Sequence, residues 1–311
     1  MGLTLSGGPC GPANPLALTP EEGICLADEP LAAHTTWRIG GRARWFCRLK
    51  TDEALARLLE TAAGSGEPVS LLGMGSNILV ADEGFPGYVV RLDGDFLRVA
   101  IEGAVVTAGG GAVLGGVCAA AARAGLSGLE PISGIPSSIG GAVRINAGAY
   151  GGEIFDVLES VRLVSRAGQR REATAAAIPH GYRWTALIET GEIVTRATMR
   201  LTPASREAIE EKTRSVTEKR RGALPSEPNA GSVFKNPPGD YAGRLIEACG
   251  LKGTRVGGAE ISTRHANVIV NRSGATSQDV LALMRRMRDE VRERFGVTLV
   301  PEVEMLGIEW E

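Results

Sequence analysis

Lysine is scarce in this chain: of 34 basic residues only five are lysine, and the rest are arginine. Thirty-six acidic residues leave a formal net charge of -2, which removes any electrostatic argument for a nucleic-acid or anionic-membrane partner. Cysteine is sparse too. Cys10, Cys25, Cys47, Cys118 and Cys249 are scattered, odd in number and never in a C-x-x-C pair, so neither a disulfide framework nor a zinc site is expected. Cys118 and Cys249, beside Ala119 and Ala248, read as small buried hydrophobes. The three histidines (His34, His180, His265) lie too far apart to form a metal-ligand pair. No window approaches a membrane span, and Met1 to Thr19 has no basic start followed by an apolar run. The expectation is a cytoplasmic protein without a signal peptide. There is no P-loop and no G-x-S-x-G elbow, and nothing supports a Ser-His-Asp arrangement.

What is present is core-forming residues and glycine. At 311 residues and 43% hydrophobic content the chain suits two or three modules, each with a real core. After a tract to about Pro20 that reads as a mobile tail, a strand is expected over Ala43 to Leu49. A helix follows, capped by Thr51 or Asp52, with Leu55, Leu58, Leu59 and Ala62 on one face and Gly64 ending it. Val69 to Gly73 reads as a buried strand; Gly87 to Leu92 and Ala104 to Ala108 are further strands, and Val113 to Ala124 an alanine-rich helix. Gly125 to Gly152 has no sustained period, and its apolar punctuation marks it as a functional loop. Strands resume at Val157 to Ser165 and Ile193 to Leu201. Pro203 to Arg221 is a charged connecting helix. A smaller module follows, with a helix around Tyr241 to Cys249, a strand at Asn267 to Asn271 and a last helix at Ser277 to Phe295. Thr276-x-x-Asp279 forms its capping box, and Met284 and Met287 belong to its core stripe.

Gly109-Gly-Gly-Ala-Val-Leu-Gly-Gly116 follows a strand and opens a helix, yet its glycine spacing misses the dinucleotide fingerprint by one residue and no acidic ribose hook follows. Close helix–strand packing explains it better. Two other glycine loops, Gly73 to Asn77 and Gly134 to Gly141, carry serine as well and suit the close backbone approach that binds a pyrophosphate. Asn229-Ala-Gly-Ser232 sets the Ser232 hydroxyl after two small residues, exposed on a turn with Lys235 and Asn236 nearby. Arg183 in Gly-Tyr-Arg-Trp and Glu302 or Glu304 in Pro-Glu-Val-Glu complete the polar candidates; strand alternation puts both glutamates on one face.

Together, Gly134-Ile-Pro-Ser-Ser-Ile-Gly-Gly through Gly151, His180-Gly-Tyr-Arg-Trp-Thr, Asn229-Ala-Gly-Ser-Val-Phe-Lys-Asn-Pro237 and Leu299-Val-Pro-Glu-Val closely resemble the UDP-N-acetylenolpyruvoylglucosamine reductase (UDP-N-acetylmuramate dehydrogenase) family of bacterial wall synthesis. Thr36-Trp-Arg-Ile-Gly-Gly41, Leu71 to Leu79, Leu251 to Gly253 and Val256 to Ala259 add to the match, which runs from Thr36 to Gly307 in the family's order. The resemblance implies an α+β protein: an FAD-binding region of two small α/β subdomains of the vanillyl-alcohol-oxidase type, and a smaller α+β substrate-binding domain. On this chain that divides into a flexible tail at 1–20, subdomains at 21–86 and 87–203, and a substrate domain at 204–311 whose last strand returns to the flavin region.

The family's chemistry implies non-covalent FAD held by Gly73, Met74, Gly75, Ser76, Asn77, Ile78 and Leu79 and by Gly134, Ile135, Pro136, Ser137, Ser138, Gly140 and Gly141. NADPH reduces the flavin and leaves, and the UDP-sugar enolpyruvyl ether then takes a hydride at the same place. Arg183 and Glu302 would hold the growing enolate and Ser232 would deliver the proton. Tyr150, Lys235, Asn236 and His265 would stand near the substrate. Nucleic acid and membrane are not expected partners, and the chain is expected to be a monomer or weak homo-oligomer. The longer form of the family carries a tyrosine loop between the flavin region and the serine motif. Here only the charged helix fills that gap, as in the shorter type, leaving Arg220, Arg221 and Tyr241 as candidates to clamp the UDP end. His265 stands where the longer form has glutamine, so no role carries over to it. The competing readings are another flavin oxidase of the same fold and a non-catalytic nucleotide-sugar-binding protein. The first has no use for Ser232 after Asn-Ala-Gly and often attaches flavin through a His or Cys absent from both loops; the retained Arg183, Ser232 and Glu302 disfavour the second.

Overall fold

The computed structural model describes residues 16–311, which build around three sheets of four or five strands. The expected mobile tail lies mostly outside the described residues; its end, Leu16, is buried in the first core, and Lys50 Nζ donates to Pro20 O at 2.7 Å. The first sheet has the spatial order Gly23–Pro30, Arg42–Leu49, Phe85–Leu92, Val69–Leu71. Its first pair is antiparallel and the rest parallel. A parallel neighbour needs a crossover, and helix Asp52–Ser65 provides it. Thr51 Oγ1 caps that helix by accepting from Ala54 N, and Leu55, Leu58 and Leu59 are buried beneath it. Each such leucine stabilises the fold by about 1.5–3 kcal/mol. The helix runs one residue past Gly64 and closes at Gly66, whose φ of +69° suits the left-handed C-cap. The expected boundary at 86/87 falls inside the strand Phe85–Leu92, which belongs wholly to this sheet.

Cys25 and Cys47 stand opposite one another in the first antiparallel pair, and a disulfide joins them. The spacing argument missed this bridge because 22 residues separate the two in sequence; only strand pairing makes them neighbours.

The second sheet is antiparallel, in the order Arg170–Thr174, Leu158–Val164, Ile193–Arg200, Val105–Gly109, Val99–Glu102. Helix Leu114–Arg123 and a short helix, Ile139–Arg144, share its core. That short helix lies within the stretch read from sequence as aperiodic. Ser138 caps it by accepting from Gly141 N at 3.2 Å, and six residues are too few to declare a period.

The third sheet, Asn229–Ser232, Val268–Asn271, Ala259–Ile261, Arg255–Val256, packs against helices Ala242–Ala248 and Ser277–Phe295. The Thr276/Asp279 capping box forms as expected, and Met284 and Met287 are fully buried. The charged helix spans Arg206–Ala223 with only Ile209 buried. After the third module the chain returns: Glu304–Leu306 runs parallel to Ile78–Val80. Trp37, Ile39 and Leu79 also sit in the third core, so the modules are packed together through this seam. Among the described residues no helix is long and apolar enough to cross a membrane.

Candidate active site

Two cavities open along the seam. The first, of about 590 Å³, is lined by Gly73, Met74, Gly75, Ser76, Asn77 and Ile78, by Ser137, Ser138, Gly140 and Gly141, and by Gly110 and Gly111. The second, of about 1100 Å³, is lined by Gly134, Ile135, Pro136, Tyr150, Arg183, Ser232, Asn236, His265 and Glu302. Thr35, Thr36, Ser76, Asn77, Ser137 and Ile145 line both, so the two share a wall. The second glycine loop is thus split between them. Ile78 reaches the first cavity, but Leu79 does not: it is fully buried in the third core, because the strand that starts at Ile78 points Leu79 to one core and Ile78 and Val80 to another.

The glycine loops give the first cavity a wall of backbone, beside side chains that include Arg48, Arg91, Arg144 and Arg166. None of the five amides from Gly73 to Asn77 donates a hydrogen bond among the described residues. Successive unpaired N–H groups need an acceptor from outside the protein, and a row of them forms an anion nest. Ser76 Oγ donates to Pro136 O, drawing the two loops together. No side chain fits between them. A Cβ on Gly73 would lie 2.6 Å from Ser138 Oγ, and one on Gly75, whose φ is +64°, 2.1 Å from His34 O. On Gly110 it would meet Val194 O at 2.0 Å, so the close approach in the third glycine run is of the loop to a strand, not of the helix as expected: Gly116 has nothing within 4 Å. Gly110 also lines the cavity. A glycine-lined space with a run of amides that have no acceptor among the described residues fits the diphosphate of FAD.

Polar side chains dominate the chemistry of the second cavity. Arg183, held at φ +53°, donates from Nε to Glu302 Oε1 at 2.8 Å and from Nη2 to Gly148 O; both side chains of the pair are under one-fifth exposed. Burial pushes the Glu302 carboxyl above its ordinary value, and Arg183 and then Lys235 oppose this without reversing it. Ser232 sits at a strand end where the pairing slips after Asn229. Asn229 Oδ1 accepts from Gly231 N at 2.8 Å, and Gly231 takes φ +74°. The expected isolated turn is therefore a bulged edge of the third sheet. The Ser232 hydroxyl makes no hydrogen bond among the described residues and lines the cavity.

Lys235 does not line either cavity; its Nζ donates to Arg183 O at 3.2 Å. Asn236 N donates to Tyr182 Oη at 3.4 Å. His265 lines the second cavity, where burial first and then Lys252 hold its imidazole pKa below the usual value. Arg220 and Arg221 line it as well, together with Arg38 and Arg264. Gly134 is the residue that lets Arg220 pass, since a Cβ there would lie 2.9 Å from Arg220 Cδ. Tyr241 is largely exposed and borders neither cavity.

Glu302 and Glu304, which strand alternation could not separate, part company here. Glu302 meets Arg183 in the second cavity, while Glu304 pairs with Arg144 beside the first. Sequence reasoning gave no role to Arg144 or Thr36. The Thr36-Trp-Arg motif was visible, but its job is tertiary: Thr36 Oγ1 donates to Asn229 O at 2.7 Å and Thr36 N to Gly75 O at 2.9 Å.

A family profile described as an FAD binding domain matches residues 43–174, and one described as the C-terminal domain of UDP-N-acetylenolpyruvoylglucosamine reductase matches residues 224–306. The chain is 46% identical to UDP-N-acetylenolpyruvoylglucosamine reductase 2 of Symbiobacterium thermophilum, over 90% of this chain and 91% of that protein. It is 44% identical to the Moorella thermoacetica reductase over 91% of this chain and 93% of that protein. The crystal structure of UDP-N-acetylenolpyruvylglucosamine reductase from Thermus caldophilus superposes with a TM-score of 0.80 at 40% identity, covering 91% of this chain and 98% of that one.

Proposed function

The chain belongs to the UDP-N-acetylenolpyruvoylglucosamine reductase family, an α+β flavoprotein oxidoreductase family, and on that premise we propose that it reduces UDP-N-acetylglucosamine enolpyruvate to UDP-N-acetylmuramate. Electrons come from NADPH through non-covalent FAD, and the product feeds peptidoglycan synthesis in the cytoplasm. The observation that carries this reading is the meeting of Arg183, Ser232 and Glu302, from three distant segments, in a cavity that shares its wall with the glycine-lined one.

Bound FAD, refilled by NADPH, supplies the hydride that the terminal vinyl carbon of the substrate accepts. The residues of the chain manage the charge and the proton. Hydride addition pushes an electron pair onto the carbon bearing the carboxylate, and that pair spreads onto the carboxylate oxygens. With Nε and Nη2 already engaged, Arg183 keeps Nη1 to donate to those oxygens, and the ties to Glu302 and Gly148 hold the guanidinium plane still. Burial favours the neutral form of Glu302, the form able to donate to those oxygens, and a substrate carboxylate drawing on Arg183 would favour it further. The Ser232 hydroxyl gives its proton to the carbanionic carbon, and the alkoxide left behind regains one from water. Position outweighs acidity for a donor facing so strong a base. The arginines of the second cavity suit the diphosphate of the nucleotide sugar.

The test is a visible spectrum of the purified protein followed by NADPH oxidation with and without the enolpyruvyl substrate. A yellow protein whose NADPH turnover depends on that substrate is expected. A colourless protein that gains no flavin on incubation with FAD overturns the reading. Ser232→Ala should leave flavin reduction by NADPH intact while substrate-dependent reoxidation collapses; equal loss of both would make Ser232 a structural residue.

A further inference from the structure

The main chain around Glu302 is held from both sides by groups that belong to the two reacting regions. On one side Glu302 N donates to Val233 O at 2.9 Å, next to Ser232. On the other stands Asn77, the last residue of the amide-bearing glycine loop. Its Nδ2 donates to Glu302 O at 3.2 Å, and its own carbonyl accepts from Glu304 N at 3.0 Å. Immediately beyond, Ile78–Val80 runs parallel to Glu304–Leu306. Asn77 lines both cavities, so it joins the wall of the first to the carboxyl-bearing segment of the second.

We propose that Asn77 is a positioning residue for the reduction, fixing the Glu302–Glu304 main chain from within the cofactor loop so that the Glu302 carboxyl stays against Arg183. The inference rests on the function proposed above and departs from the residue's expected role as a cofactor ligand. Its side-chain donor is engaged within the protein, whereas the loop's backbone amides are free; the amides, not the Asn77 side chain, are the groups left for the cofactor. Among the described residues no other group donates to the Glu302 carbonyl. Losing that contact frees the segment between its anchors at Val233 O and at Glu304 N. The carboxyl can then swing toward solvent. Displacements of about 1 Å at a reacting group cost on the order of 100-fold in rate.

Asn77→Leu, of similar volume and uncharged, and Asn77→Ala provide the test. FAD affinity is read by absorbance titration, the two half-reactions by rapid mixing with NADPH and then with the enolpyruvyl substrate, and the second across pH. The expected result is FAD affinity within about threefold of the parent chain. Substrate-dependent reoxidation should fall roughly 10–100-fold further than flavin reduction. The basic limb of the reoxidation profile should move to lower pH, because a Glu302 released from burial returns toward its ordinary value. A structural role elsewhere would not move that limb. Parallel loss of both half-reactions, loss of FAD from both variants, or an unmoved limb would each overturn the inference. The parent chain separates the two levels: if it does not oxidise NADPH with this substrate the functional reading fails, whereas an active parent with an unmoved limb sinks only the role of Asn77.

Discussion

The two cavities are made of different material. The first has a glycine-loop wall, with glycines brought so close that a methyl group finds no room and a row of amides without acceptors among the described residues, beside the side chains of Arg48, Arg91, Arg144 and Arg166. The second has five arginines (Arg38, Arg183, Arg220, Arg221, Arg264) and a largely buried carboxyl, Glu302. The glycine wall is lost by adding atoms. The Arg183–Glu302 pair is lost by removing a charge or a donor. The difference suits a resident cofactor in one and a succession of anionic partners in the other.

Substitutions should divide along that line. The largest effect is expected at Arg183. Arg183→Lys keeps the charge and loses the fork, and substrate-dependent reoxidation should drop on the order of 100-fold or more while bound flavin is retained. Flavin loss in that variant would break the division. Gly75→Ala should do the reverse. Its Cβ would meet His34 O at 2.1 Å in a left-handed conformation, so several kcal/mol of strain or displacement is expected and the protein should purify with little FAD. Normal flavin content there would mean that the loop has room to spare.

The reduction of the Cys25–Cys47 bridge comes next. Closing 22 residues contributes about 3 kcal/mol by chain entropy, so dithiothreitol should lower the melting temperature by several degrees without altering either half-reaction. The pH test sharpens the second cavity. Burial raises the Glu302 pKa, so the folded state binds a proton that the unfolded state has already lost between the two values. Its contribution to stability is then present below the ordinary carboxyl pKa and lost as pH rises through the raised one. Activity that uses the neutral carboxyl should fall over the same rise, and Glu302→Gln, a permanent neutral donor, should flatten that limb. The smallest effect is at Gly116, in helix Leu114–Arg123, where an added Cβ meets nothing within 4 Å. Gly116→Ala should stabilise by about 1 kcal/mol with flavin content unchanged, a control showing that glycine matters at the cavity and not in general.

Much of the fold was legible before any coordinates. The apolar stripe of Leu55, Leu58 and Leu59, the Thr276/Asp279 capping box and the buried methionines all follow from local period and capping chemistry, which depend on residues within a turn or two of one another. The helix Ile139–Arg144 was not legible, since its formation rests on one serine cap and on packing against the second sheet. The strand Arg170–Thr174 was missed because four of its five residues face solvent at the edge of that sheet. That Leu79 lines neither cavity was not legible, because a motif does not say where a loop ends and a buried strand begins.

The sequence by itself determined the inventory: two glycine loops with serine, a serine after Asn-Ala-Gly, an arginine after Gly-Tyr, and two glutamates two residues apart. These are local matters of residue type and conformational freedom. Only the tertiary structure decided which glutamate meets Arg183, that Glu304 turns to Arg144, that Cys25 bonds to Cys47, and that Asn77 and Thr36 tie the glycine loop to Glu302 and to the Ser232 strand. The reason is distance along the chain. The contacts of Glu302, of Glu304 and of Thr36 with Asn229 join residues more than a hundred positions apart, and the return of the last strand beside the glycine loop brings Asn77 to Glu302.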